Sequence, residues 1–127
     1  MNTTTYIFDL DGTLYDIDGQ PGTKFGDSAF CADLIADTQN YIAQALTIDP
    51  VEAMAVLKKV QLDYDGEISI GLERSYGIDR YDLFDQTWGR EVARYIKPNP
   101  ELRGQLEPFV GRAALLSAAP RVWVSRV

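Results

Sequence analysis

Tyr6-Ile7-Phe8 is a run of apolar residues with strand propensity that stops at Asp9-Leu10-Asp11-Gly12-Thr13, a string rich in turn formers. It predicts a buried strand that delivers two carboxylates at its C-terminal end. Residues 15 to 27 hold Gly19, Pro21, Gly22 and Gly26 among several aspartates, the composition of a loop or hinge. From Phe30 onward Leu34, Ile35, Thr38, Ile42 and Leu46 recur at three and four residue spacing, so one helical face should run from about Ser28 to about Leu46. Asp49-Pro50-Val51-Glu52 then sets a capping residue, a proline at the first helical position and a carboxylate at the third, which predicts a second helix. Met54, Leu57, Gln61 and Tyr64 carry it on until Asp65-Gly66 breaks it, and a short helix around Ile68 to Tyr76 should end at Gly77.

Asp79 and Asp82 resemble a second capping pair. Phe84, Trp88, Val92 and Tyr95 line one side of the helix expected to follow, which Pro98 and Pro100 should terminate by about Lys97. Asn99-Pro100 can start a short helix through about Glu107, Ala113-Ala114-Leu115-Leu116-Ser117 reads as a second buried strand, and Pro120 to Val127 resumes a helical pattern in which Trp123 needs a partner. The order suggests an α/β fold: a βαβ core unit with a helical lobe inserted after the first strand. Residues 1–15 and 98–127 would form a partial core of parallel strands, and residues 16–97 the inserted lobe. Parallel sheets are normally covered on both faces and built from several strands, so the chain reads as the first part of a larger domain.

Composition narrows the chemistry. The 127 residues are 46% hydrophobic and 24% charged, which is enough to bury one core, and no apolar run nears a membrane span. Residues 1–6 are polar and lack the basic and apolar regions of a secretory signal, so a cytoplasmic protein is expected. A single cysteine, Cys31, and the absence of histidine exclude an internal disulfide, the usual zinc sets and every imidazole-based nucleophile. Any metal must take oxygen ligands. The net charge of −7, with no run of Lys or Arg, argues against a nucleic acid polymer as partner, while a small anionic substrate would need a cation in its site.

Candidate chemistry concentrates at Phe8 to Tyr15. In an extended segment, residues i and i+2 share a side, so Asp9 and Asp11 can face a common site, where their mutual repulsion makes a divalent cation a natural third component. Gly12 lets the backbone turn sharply, and Thr13 supplies a hydroxyl and an amide nearby. A bare Asp-x-Asp is more often just a strand running into an Asp-Gly turn. An EF-hand does not fit: in Asp9-Leu10-Asp11-Gly12 and Asp16-Ile17-Asp18-Gly19 the glycine falls at loop position four instead of six, and Gln20 replaces the terminal glutamate.

The full string Phe8-Asp9-Leu10-Asp11-Gly12-Thr13-Leu14 resembles the first motif of the haloacid dehalogenase superfamily of phosphohydrolases, an apolar strand leading into D-x-D-G-T-L. The resemblance implies a haloacid-dehalogenase-like Rossmann-type core with a helical cap that closes over the site. It implies Asp9 as nucleophile forming an aspartyl phosphate and Asp11 as acid/base, with both on a magnesium ion. Leu115-Leu116-Ser117-Ala118 resembles the second family motif, so Gly12, Ser117 and Ala118 would bind the phosphoryl group, aided by the dipole of the next helix. Many relatives have Thr-Asn at that point. A serine ending a strand can also be a plain helix cap.

Asp65-Gly66, Gly71-Leu72, Tyr95-Ile96-Lys97-Pro98-Asn99-Pro100 and Ala118-Ala119-Pro120 look like the pyrimidine 5'-nucleotidase branch, which implies a small phosphate ester, a pyrimidine nucleoside 5'-monophosphate, as substrate. The family's later lysine and acidic pair have no counterpart, because residues 118–127 contain no Lys, Asp or Glu. The chain therefore resembles a C-terminally truncated member, and these 127 residues by themselves are expected to turn over little. Asp11 argues for phosphate over a dehalogenase, which has no use for a second aspartate. The rival reading is an inactive fragment or a non-catalytic interaction module, self-associating through an exposed sheet edge.

Overall fold

The computed structural model describes residues 4–127. The chain divides into two compact units, one formed by the described residues up to Cys31 together with Glu91–Val127, the other by Ala32–Arg90. Most of the chain is helical, and a two-stranded parallel sheet makes it compatible with an α/β fold. Among the described residues no helix is long and apolar enough to cross a membrane.

The Ala32–Arg90 unit is built by helix signals that act locally. Helix α1 spans Ala29–Leu46, and α2, Pro50–Asp63, begins at a complete capping box. There Asp49 Oδ1 accepts the amides of Val51 at 2.8 Å and Glu52 at 2.9 Å, while Glu52 Oε2 accepts the Asp49 amide at 3.4 Å. Helix α3, Ile68–Tyr76, stops at Gly77 in the left-handed region, φ 69°, and α4, Arg80–Trp88, is capped by Asp79 on the amides of Tyr81 and Asp82. Buried Ile42, Ala53, Leu57, Val60, Leu72, Ile78 and Leu83 form the core of this unit.

Helix α4 is shorter than the apolar spacing predicts. It ends at Trp88 rather than near Lys97, and Val92–Arg94 forms a separate 3-10 turn that belongs to the other unit. The reason is polar. The Thr87 hydroxyl donates back to the Leu83 carbonyl at 2.7 Å, Gly89 follows, and Arg90 folds back so that Nε donates to the Thr87 carbonyl at 2.8 Å and Nη2 to Asp37 Oδ2 at 2.5 Å. Those bonds satisfy the helix end early, so the prolines are not what stops it.

The second unit holds β1, Tyr6–Phe8, paired in parallel with β2, Ala113–Leu115, in the register Tyr6↔Ala113, Ile7↔Ala114, Phe8↔Leu115. Two short helices flank β2 in sequence, α5 at Leu102–Leu106 and α6 at Arg121–Val124. Both strands were expected to be buried, and they are not: Ile7 is 66% exposed and Leu116, just past β2, is 68% exposed. In a sheet of two strands each strand is an edge. Phe109 covers only one face, meeting Tyr6 and Phe8 edge-on at 4.8 and 5.3 Å, and the intervening Ile7 points the other way.

Burial in this unit is instead carried by an aromatic stack. Phe30 lies on Trp123 with centroids 4.6 Å apart and planes 29° apart, meets Tyr95 at 4.8 Å, and joins Leu10 and Ile17 out of solvent. The glycine-rich loop is tied down by its acidic residues. Asp18, at φ 55°, accepts the amides of Ala29 at 2.6 Å and Phe30 at 3.3 Å, while Ser28 Oγ accepts that of Cys31 at 3.0 Å. Three amide donors of the first turn of α1 are thereby satisfied from the loop.

Two stability predictions follow from these contacts. Asp18→Ala leaves two of those donors without a protein acceptor and should lower unfolding free energy by about 1–2 kcal/mol in denaturant titration. Gly71 is a close-approach position on α3: an added Cβ would come 2.4 Å from Val60 Cγ1 and 2.7 Å from Tyr64 Cδ2. Alanine in a helix interior ordinarily gains about 1 kcal/mol over glycine, but overpacking of this kind costs about 1–3 kcal/mol. Gly71→Ala should therefore lower the melting temperature, whereas relief of helix entropy alone would raise it.

Candidate functional site

Parallel pairing puts the C-terminal ends of β1 and β2 side by side, and the Leu116 amide continues the ladder by donating to the Phe8 carbonyl at 2.8 Å. Open α/β sheets present ligands at this end of their strands. Asp9 leaves β1 directly after Phe8, and Ser117 stands two residues beyond β2, so residues more than a hundred positions apart arrive at one edge.

The two aspartates occupy different surroundings. Asp9 is exposed; its Oδ1 accepts the Leu10 amide at 2.8 Å and its Oδ2 the Thr13 hydroxyl at 3.4 Å. The turn is closed by Thr13 and Leu14, whose amides both donate to the Leu10 carbonyl, with Gly12 at φ 76° taking the left-handed position that a side chain would strain. Asp11 is half-buried. Its Oδ1 accepts the Tyr15 hydroxyl and, at 2.9 Å, the indole N–H of fully buried Trp123, and that N–H also lies 3.2 Å from the Tyr15 oxygen.

The Ser117 hydroxyl lies close enough to Asp11 to influence its carboxyl. Its oxygen also accepts the Ala119 amide at 3.1 Å, which folds the segment after β2 back toward the strand end. Asp9, Asp11 and Ser117 are therefore brought together, with Gly12 in the intervening turn and Ala118 exposed beside Ser117. The expected help from a following helix is absent. Helix α6 starts only at Arg121, behind Pro120, and its four residues are too short to supply a useful dipole at Ser117.

Burial pushes the Asp11 carboxyl above its ordinary value. The Trp123 hydrogen bond opposes that rise, the negative charge of Asp9 adds to it, and the Ser117 hydroxyl opposes it again. Burial and then the charge of Asp27 push the Cys31 thiol upward. A shallow cleft of about 200 Å³ shares Tyr15 with the site and is otherwise lined by Asp16, Gly19, Lys97 and the turn Pro98 to Pro100. The Lys97 methylenes cross Gly19 so closely that a Cβ there would sit 2.9 Å from Lys97 Cδ.

Among the described residues no group of three or more Asp, Glu, His or Cys converges as a ready-made metal cage. The donor chemistry nonetheless suits magnesium, which keeps much of its water and is commonly held through one or two carboxylates. Asp9 and Asp11 are two carboxylates close enough for one charge to perturb the other. Tyr15 and Trp123 were not foreseen as site residues. The readable signals were the four-residue spacing of Tyr15 from Asp11 and the presence of a large aromatic, Trp123, with no evident partner in its own segment.

Comparison with family models, with curated proteins and with solved structures finds no match to this chain.

The raised Asp11 value fixes a pH dependence. The folded state keeps the Asp11 proton to higher pH than the unfolded chain does. The contribution of this group to stability is thus fully present below the ordinary value of 3.8 and lost as pH rises through the folded one. Near neutral pH the ionised carboxylate is a net cost. Asp11→Asn should therefore melt higher than the parent at neutral pH, and that advantage should vanish in acid, as read by thermal melts across pH.

Proposed function

We propose that this chain is a magnesium-dependent phosphohydrolase of the haloacid dehalogenase type, acting on a small phosphomonoester through an aspartyl phosphate on Asp9. The observation that carries the reading is the meeting of Asp9, Asp11 and Ser117 at the adjoining C-terminal ends of two parallel strands. The sequence resemblance assigns roles to the same three residues.

The chemistry follows from the two environments. An oxygen of exposed Asp9 attacks phosphorus, the bond from phosphorus to the ester oxygen breaks, and the departing alkoxide takes a proton from Asp11. Asp11, now ionised, removes a proton from water; the resulting hydroxide oxygen attacks phosphorus, the acyl phosphate opens, and inorganic phosphate leaves with Asp9 restored. A carboxyl held above its ordinary value is suited to carry that proton in both directions. Asp9 would hold the magnesium ion through its carboxylate and Asp11 through its main-chain carbonyl, which leaves the Asp11 carboxyl for the proton; the ion when bound offsets the negative charge gathered between carboxylate and phosphate. Gly12, Ser117 and Ala118 would steady the phosphoryl oxygens. The cleft beside Tyr15 offers room for the leaving group, with the Lys97 ammonium able to meet an anionic or carbonyl-bearing one such as a pyrimidine nucleoside.

A second reading, an interaction module that pairs with a second copy through its sheet edge, is favoured by the exposure of Ile7, Leu115 and Leu116. The covalent half-reaction separates the two. After brief mixing with p-nitrophenyl phosphate and magnesium and an acid quench, the phosphohydrolase gains one phosphoryl group, located at Asp9 by peptide mass spectrometry. Asp9→Asn should gain none, and Asp11→Asn should slow the single-turnover transfer of a phosphoryl group from an alkyl ester to Asp9 by about a hundredfold or more. No phosphoryl adduct, or one that persists in Asp9→Asn, would leave the interaction module as the better account.

A further inference from the structure

Trp123 has no place in the motif that marks the two aspartates, yet it reaches into the site from the other end of the chain. It is fully buried, stacked on Phe30, and its only polar group points at Asp11 Oδ1. A buried indole N–H needs an acceptor, and here the acceptor is the carboxylate oxygen that also takes the Tyr15 hydroxyl. Two donors converge on one oxygen, and the donors themselves lie 3.2 Å apart. The indole is immobilised by its aromatic neighbours, so the carboxyl group it holds is restrained in turn.

We propose that Trp123 and Tyr15 form a positioning pair that clamps Asp11 through Oδ1 and so reserves its other oxygen for proton transfer to the leaving group. The role rests on the phosphohydrolase reading for its chemical meaning, but the clamp itself is a property of the fold. Neither residue touches the reacting atoms; both act through Asp11. A carboxyl free to rotate about its side-chain bonds would present either oxygen in several directions, and misplacement of a catalytic group by about 1 Å can cost about a hundredfold in rate.

Leaving-group chemistry distinguishes this role from a merely structural one. Departure of an alkoxide from uridine 5'-monophosphate needs a proton from Asp11, whereas p-nitrophenolate leaves without one. Trp123→Phe keeps an aromatic ring on Phe30 and removes the donor; Tyr15→Phe removes only the hydroxyl. Each should slow single-turnover release of uridine from uridine 5'-monophosphate by about tenfold to a hundredfold, with half-saturation little changed, and slow the single-turnover release of p-nitrophenolate, which draws no proton from Asp11, far less. The double variant should be little worse than the worse single one, because both act on the same oxygen. Equal losses on both esters would reduce the pair to a structural contact, and unchanged rates on both would overturn the proposal.

A readout independent of turnover keeps the clamp testable if the phosphohydrolase reading fails. Three-bond couplings of the Asp11 Cβ protons should report one side-chain rotamer in the parent chain and averaging among rotamers in Trp123→Phe, with circular dichroism and thermal melting confirming that the variant is folded. A parent chain without phosphoryl transfer but with this change in couplings would reject the reaction and retain the clamp. Averaged couplings already present in the parent, or fixed couplings that persist in a folded Trp123→Phe and Tyr15→Phe double variant, would reject the clamp itself.

Discussion

The register of β1 against β2 is the constraint on which the candidate site depends. Phe8 opposite Leu115, with the Leu116 amide on the Phe8 carbonyl, fixes where each strand lets go of its partner. The first residues beyond that point are Asp9 on one side and, one step past Leu116, Ser117 on the other. A slip of one residue would turn Asp9 toward the opposite face and carry Ser117 out of reach of Asp11. Among the described residues three pairs hold this register, and the exposed faces of Ile7 and Leu115 contribute little burial to it. Support comes from elsewhere: Phe109 against the Tyr6 and Phe8 rings, and Trp123 joining the segment after β2 to the turn after β1.

Trp123 thus serves two ends at once. Its ring supplies the largest fully buried side chain among the described residues, and its N–H supplies a hydrogen bond to a carboxylate that the same burial disfavours. Leaving a buried donor unpaired costs about 1–3 kcal/mol, so the indole and Asp11 are coupled: the stack is comfortable only with an acceptor at that place. Charging Asp11 in turn costs the fold something, because burial disfavours the ionised carboxyl.

What could be read from the sequence was what neighbouring residues decide. Asp49, Pro50 and Glu52 specify the start of α2 among themselves, and Gly77 and Asp79 do the same for the helices they bound, because a cap needs only its own first or last turn. The D-x-D-G-T turn is local in the same sense. The end of α4 was not legible, since Phe84, Trp88, Val92 and Tyr95 keep helical spacing across a break set by Arg90 reaching back to Thr87 and away to Asp37, 53 residues earlier. Strand burial was also misread, because apolarity in Ile7 and Leu116 says what would like to be covered and not whether anything covers it.

The contrast between Asp9 and Asp11 is the deepest point at which the pattern falls short. Residues i and i+2 at a strand end are equivalent as far as spacing can tell, and both are aspartate. They differ because the turn that follows buries Leu10 and brings Tyr15 back onto Asp11, while a residue 112 positions away covers the same oxygen. Asp9 is left with only its own turn, Leu10 and Thr13, and with access to solvent. On the proposed reading the reachable carboxylate is the nucleophile and the held one the proton carrier, roles that call for opposite surroundings. The difference between the two aspartates lies in the tertiary contacts of Asp11, and the local motif supplies only the two groups.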